Sequence, residues 1–295
     1  MMNKMQTLAG RFRRLAGRFV PRKPEPPPQP HPDDAAWLTM QKSGWYNSAT
    51  GEIAPGFPIR SADRVVDIGC STGNISVFAA KQGADVVGID IDASAIETLR
   101  ERFRTQFPVP SASPHSETPP VSRQHEALVS DCNPIPLPAD YADVVLVMEV
   151  LEHVDDPAAM LREAVRIGKR NARYLFLVPD PLAESVQRVI APPVYWQRPN
   201  HLRVFEREEI QGLVESAGLV VDRKLFDGFY WSMWWFLYWA VPKNSIPPGK
   251  TGDSELLRHW NETWISLIST PKGDQIRQAL ENAMPKSQVL IAHKP

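Results

Sequence analysis

Between Asp63 and Phe226 the chain repeats one pattern: a short apolar run, then a stretch with helical spacing, then another apolar run. Strands joined through helices in this way run parallel, and a parallel sheet is covered on both faces. The apolar runs are "RVVDIG", "DVVGID", "HEALVSD", "ADVVLVME", "RYLFLVP" and "LVVDRKLF", and "SQVLIAHKP" at the carboxyl end reads as one more. The helical stretches include "NISVFAAKQ", "DASAIETLRERF" with Asp92 as N-cap and Ile96, Leu99 and Phe103 inward, and "EREEIQGLVESAG" stopped by Gly218. Another starts at Asp156 and Pro157, with Leu161, Ala164, Val165 and Gly168 facing inward. This predicts an α/β fold, a doubly wound, mostly parallel sheet of seven strands, with its ligand at the carboxyl ends of the strands.

The flanks differ from this body. Every charged residue from Met1 to Lys23 is basic, although the whole chain carries a formal charge of only −1. "LAGRF" occurs twice, which puts Leu8, Phe12, Leu15 and Phe19 on one helical stripe with arginines around it. Such an arm suits an anionic membrane surface, while Gly10 and Gly17 favour a frayed arm instead. Pro21 to Pro32 reads as a polyproline spacer, so residues 1–32 are expected to form an arm and linker and 33–295 the folded domain. "FPVPSASPHSETPPVS", from Phe107 to Ser122, reads as a surface insertion. Two cysteines, Cys70 and Cys132, are too few and too far apart for a disulfide framework or zinc cluster, which suits a reducing, cytoplasmic compartment. No apolar run is long enough to span a bilayer, and no nucleic-acid partner is expected.

The first strand runs into "VDIGCSTGNI", where glycines let backbone amides approach a ligand at a helix N-terminus. Asp90 ends the second strand at a distance suited to ribose hydroxyls, a feature that a nicotinamide dinucleotide site would share. The fuller set adds Asp67 before the glycines, Asp131 in "VSDC" after the third strand, and "VMEVLEHVDDP" after the fourth. Together with "HLRVF" these segments resemble the class I S-adenosylmethionine-dependent methyltransferases, in particular the ubiquinone-biosynthesis group, over roughly Asp63 to Phe226 and the last strand. Ser71 stands where that family usually has a third glycine.

The resemblance implies S-adenosylmethionine as cofactor and a role for each matched residue. Asp67, Gly69, Cys70 and Gly73 would surround the methionine portion, and Asp90 the ribose hydroxyls. Ile91 would pack on adenine, Asp131 and Cys132 would recognise its edge, and Glu149 would lie beside the cofactor. His153 and His201, both on loops at the carboxyl edge, are the candidate catalytic bases, with backbone bracing as their other reading. Some ubiquinone-type O-methyltransferases hold a divalent ion in the equivalent segment, which here would involve Glu149, Glu152 and His153. The same "EVLEH" occurs in relatives without a metal, and none is assigned.

Between Asp227 and about Lys286 stands a long insertion before the last strand. It contains "DGFYWSMWWFLYWAVP", then "DSELLRHWNETWISLI" with Leu256, Leu257, Trp260, Trp264 and Leu267 on one side, and "DQIRQALENAM". Tryptophan and tyrosine suit a surface that is apolar at one end and wet at the other, so 227–286 is expected to cap the substrate. The expected activity is methyl transfer, at oxygen, to a small or lipid-linked acceptor at the inner face of a membrane. The competing readings are an NAD(P)-dependent oxidoreductase and a non-catalytic binding protein of the same fold.

Overall fold

The computed structural model describes residues 32–108, 124–241 and 254–295, so the basic arm, nearly all of the Pro-rich spacer and most of the 107–122 insertion lie outside the described residues. The chain enters through helix α1 (Pro32–Ser43) and a short hairpin, β1 (Glu52–Ala54) and β2 (Phe57–Pro58). The alternating body follows as β3 (Arg64–Ile68), α2 (Asn74–Lys81), β4 (Asp85–Asp90), α3 (Ala93–Gln106), β5 (His125–Val129), β6 (Ala142–Met148), α4 (Pro157–Ile167) and β7 (Gly168–Pro179). Next come α5 (Pro181–Ile190), a 3₁₀ turn (Pro193–Trp196), α6 (Arg207–Ser216), β8 (Val220–Asp227), the three helices α7 (Phe229–Ala240), α8 (Glu255–Ile268) and α9 (Gly273–Ala283), and finally β9 (Ser287–His293).

Seven strands form one sheet in the order β5-β4-β3-β6-β7-β9-β8, parallel except for β9, which runs antiparallel between β7 and β8. Val66 of β3 lies opposite Val87 of β4 and Val145 of β6, so β3 is the strand from which the sheet grows in both directions. Chain order reverses there, and the crossover helices leave on opposite faces. That opens a crevice above the carboxyl ends of the strands.

Alternation along the strands divides the core. Val66, Val87, Val145 and Phe176 meet Leu161, Ala164, Ile210 and Val214 of α4 and α6. Val65, Val86, Val144 and Leu175 meet Val77, Ile96 and Leu99 of α2 and α3, together with Ile53 and Phe57 of the hairpin. Each such fully buried side chain is worth ~1.5–3 kcal/mol of transfer free energy. Ala35, Ala36, Tyr230, Trp264 and Ile268 form a third core, which joins α1 to α7 and α8.

Five features depart from the sequence expectations. Helix α1 and the hairpin precede the expected start of the sheet, and strands of three and two residues are too short to display an alternating pattern. Gly168 is not on a helix face: α4 stops at Ile167 and β7 begins at once with Gly168 in extended backbone, where a Cβ would lie 1.8 Å from the Tyr174 hydroxyl. Helix α5 has Asp180 as its N-cap and Pro181 in its first turn, yet it buries Glu184 and Gln187 and exposes Leu182 and Val189, reversing the usual polarity. On α8 the buried stripe is Leu257, Asn261, Trp264 and Ile268, and Leu256 is exposed. Asn261 disguises that stripe in the sequence; it is buried because its Oδ1 accepts the Tyr230 hydroxyl at 2.6 Å.

Candidate active site

The loops that follow β3, β4, β5 and β6 meet around one cavity of about 630 Å³, within the usual range for a small-molecule site. Gly69 and Ser71 contribute from the first loop, Asp90 and Ile91 from the second, Asp131 and Cys132 from the third, and Glu149 and His153 from the fourth. Arg198 and Pro199, from the segment before α6, complete the far wall.

The turn after β3 needs left-handed backbone. Gly69 has φ +72° and Gly73 φ +83°, and a Cβ would come within 2.3 Å of Val150 at the first and 2.2 Å of Leu99 at the second. Ser71 also adopts a positive φ, and its N–H donates to Asp90 Oδ2 at 2.8 Å, so the turn holds without a third glycine. Asp90 Oδ1 accepts the Asp92 N–H at 2.9 Å. Two backbone amides thus fix this carboxylate at the cavity wall. Of the four residues expected around the methionine portion, only Gly69 lines the cavity; Asp67, Cys70 and Gly73 form the turn behind it. Asp67 accepts the Ser76 hydroxyl at 2.6 Å, and burial pushes its carboxyl up to about 7. Burial also raises both thiols, Cys132 to about 12, which keeps them un-ionised.

Glu149, in left-handed backbone, is ion-paired with Lys286 and accepts the Ser287 hydroxyl at 3.1 Å. The cavity edge is thereby tied to the chain that returns from the insertion. His153 lies on the wall with Nδ1 3.1 Å from the Pro199 carbonyl oxygen, and burial lowers its pKa. His201 is buried behind it, edge to face at a centroid distance of 5.0 Å, with Nδ1 3.0 Å from Glu184 Oε2. Glu152 is 0% exposed, and neither of its oxygens has a hydrogen-bond partner. Burial, and next the charge of Glu149, raise its pKa well above the ordinary carboxyl value.

Sequence reasoning missed Glu184, Gln187, Tyr195, Arg198, Lys286 and Tyr46. None belongs to a local motif; each reaches the site through the fold. The Tyr46 hydroxyl, for example, is kept protonated by burial and by the charges of Asp67, Asp227 and Glu149.

The walls state what the cavity accepts. Ile91 is 73% exposed immediately after the fixed carboxylate of Asp90, an apolar platform suited to a flat base beside ribose hydroxyls. Asp90, Asp131, Glu149, Asp155 and Asp156 all line it; Glu149 is paired with Lys286 and Asp155 with Arg198, the one arginine among the described lining residues, so Asp90 and Asp131 set the sign of the wall. Such a wall favours a cationic ligand and repels a pyrophosphate. It fits S-adenosylmethionine and opposes a dinucleotide.

A family model described as a methyltransferase domain matches residues 9–224. The chain belongs to the methyltransferase domain family. It is an S-adenosylmethionine-dependent methyltransferase, and S-adenosylmethionine is its cofactor. The ubiquinone biosynthesis O-methyltransferase of Aeromonas salmonicida is 25% identical to this methyltransferase over 230 residues, which are 74% of this chain and 80% of the relative. The enzyme of the same description from Ralstonia nicotianae is 33% identical over 168 residues; the match spans 53% of this chain and 62% of that one, less than two thirds of its length. Among solved structures, an S-adenosylmethionine-dependent methyltransferase from Mesorhizobium loti shares the fold at a TM-score of 0.50 and 13% identity, covering 88% of this chain and 98% of its own.

Proposed function

We propose that this methyltransferase methylates an oxygen of a small or lipid-linked acceptor, working at the cytoplasmic face of a membrane to which it binds peripherally. The observation that carries the acceptor class is the reversed helix α5. Val189 is 84% exposed, Leu182, Ile190 and Val194 are exposed as well, and the aromatic helix α7 packs alongside, held by the Trp239 Nε1–H to Gln187 Oε1 bond at 3.0 Å. An apolar surface that leads in the chain to Arg198 and Pro199 of the cavity wall suits an amphiphile whose reactive head enters and whose tail stays outside. The relatives' description as O-methyltransferases supports oxygen as the acceptor atom. Among the described residues no helix is long and apolar enough to cross a membrane; the contact proposed here is peripheral, through the basic segment Met1–Lys23 on anionic lipid.

In this reading the cofactor supplies a methyl group on a positively charged sulfur. Gly69 and the turn behind it, built by Asp67, Cys70 and Gly73, cradle the methionine portion. Asp90 holds the ribose hydroxyls, Ile91 packs on the adenine, Asp131 and the Cys132 backbone read its edge, and Glu149, neutralised by Lys286, closes the methyl end. Helices α7 to α9, within 227–286, cap the acceptor side, where His153, His201 and Glu152 stand together. Positioning is the main source of rate, worth roughly 7–11 kcal/mol for well-oriented reactants.

Incubating a native membrane-containing extract with labelled cofactor and identifying the labelled product by mass tests the reading. An O-methylated amphiphile is expected; a labelled protein, nucleic acid or amine would overturn it. Deleting Met1–Lys23 is expected to abolish sedimentation with anionic vesicles while sparing cofactor binding.

A further inference from the structure

Tyr46 stands in a conformation that a bulky residue rarely takes. Its φ is +49°, in the left-handed region, where a side chain with a Cβ is strained. Three backbone bonds impose it: the Trp45 N–H donates to the Met40 carbonyl at 3.0 Å, the Tyr46 N–H to Ile53 at 3.3 Å and the Asn47 N–H to Glu52 at 2.8 Å. The turn that joins α1 to the hairpin is thereby fixed. It seats the Tyr46 ring edge to face on Phe78 of α2, at a centroid distance of 5.6 Å. The preceding Trp45 is buried, whereas Tyr46 stays partly accessible.

Three strand ends meet around its hydroxyl. Burial, and then the charges of Asp67 on β3, Asp227 on β8 and Glu149 after β6, keep that hydroxyl protonated. These carboxylates are tied into the fold by other bonds: Asp67 to α2 through the Ser76 hydroxyl, and Asp227 to Glu149 through Lys286, whose N–H donates to the Asp227 carbonyl at 2.9 Å while its ammonium pairs with Glu149. Among the described residues none hydrogen-bonds the Tyr46 hydroxyl. A polar group is thus held, at the cost of backbone strain, between the turn after β3 and the return of the insertion, and the fold itself makes no use of it.

Glu149 brings this junction to the cavity wall, at the end assigned above to the methyl group. The sulfur of the cofactor is positively charged, which polarises its methyl hydrogens toward an oxygen lone pair as weak C–H···O donors. An ionised phenolate set against that methyl would be a nucleophile competing with the acceptor. A phenol that stays neutral offers the lone pair without that side reaction, and the buried setting of Tyr46 supplies that form.

We propose that Tyr46 is a binding residue for the sulfonium end of the cofactor, its hydroxyl oxygen turned to the methyl group, so that the site favours S-adenosylmethionine over the spent S-adenosylhomocysteine, whose sulfur is uncharged. The assignment rests on the reading that the methionine portion lies on the turn after β3. Tyr46 then acts at the one point where the two molecules differ.

The test is calorimetric titration of S-adenosylmethionine and of S-adenosylhomocysteine into the full-length parent and into Tyr46→Phe, which keeps the ring on Phe78 and removes only the oxygen. Affinity for S-adenosylmethionine should fall roughly 2- to 5-fold, as for one weak C–H···O bond, with affinity for S-adenosylhomocysteine unchanged. Nuclear magnetic resonance of cofactor labelled with ¹³C at the methyl group gives a second readout. Its methyl protons should shift downfield on binding to the parent and return toward the free position in Tyr46→Phe. Equal loss of affinity for both molecules, no loss for either, or the same methyl resonance in the two chains would overturn the role given to Tyr46 and leave the cofactor reading standing. A parent chain that bound neither molecule would bring down both.

Discussion

The cofactor edge and the helical insertion before β9 are built on opposite plans. At the cofactor edge, polar groups find partners close by in the chain: Asp90 holds the amides of Ser71 and Asp92, Asp92 caps α3 through Ser94 and Ala95, and Asp156 caps α4 through Ala159. In the insertion the partners come from far away. Trp264 Nε1 donates to Thr39 Oγ1 at 2.7 Å across 225 residues, Arg277 reaches the Lys42 carbonyl, Trp239 reaches Gln187, and Lys286 pairs with Glu149. A ligand cradle can thus be laid down by short motifs on rigid strands, whereas the helical insertion is assembled only once distant parts of the chain have come together.

That contrast can be broken at its strongest point. Trp264 is fully buried between α1 and α7, so Trp264→Ala should cost ~3–5 kcal/mol in denaturant unfolding. If the two regions are separable, the folded fraction keeps its affinity for S-adenosylhomocysteine; a parallel loss of affinity would show that they are one unit. Gly73→Ala probes the other side. Its left-handed φ and the approach to Leu99 predict a loss of ~1–3 kcal/mol, and here cofactor affinity should fall with stability.

Asp67 gives the cofactor edge a pH signature, which it shares in sign with Asp227 and Glu281 of the insertion, pushed by burial up to about 6 and about 7. Its carboxyl pKa is raised on folding from 3.8 to about 7, so between those values the native chain keeps a proton that the unfolded chain has released. Stability should therefore decline as pH rises through that window, and Asp67→Asn should flatten the decline; an unchanged pH profile of chemical denaturation would contradict it. The smallest effect belongs to Trp239→Phe, which removes one part-buried bond to Gln187 and should cost ~0.5–1.5 kcal/mol with no change in cofactor affinity.

The same contrast explains what could be read from the chain beforehand. The order of strands, the caps at Asp92 and Asp156, and the loops bearing Asp90, Ile91, Asp131 and Glu149 were legible because each rests on periodicity or on neighbours within a few residues. Helix α5 was not, since burying Glu184 and Gln187 makes sense only once His201 and Trp239 have been brought to them. The stripe of α8 was legible at Leu257 and Trp264 but not at Asn261, which is polar and whose buried partner Tyr230 lies in another helix. The ion pair of Glu149 with Lys286 spans 137 residues, and no spacing rule in the "EVLEH" segment could reveal it.

Calorimetric titration of S-adenosylhomocysteine and of NAD into the parent chain and into Asp90→Asn tests the central claim most directly. The account expects the parent to bind the nucleoside and not the dinucleotide. Binding should weaken roughly 10- to 100-fold in Asp90→Asn, as for loss of one charged hydrogen-bonding group worth ~1.5–3 kcal/mol. Preference for NAD, or equal affinity in the two chains, would contradict it.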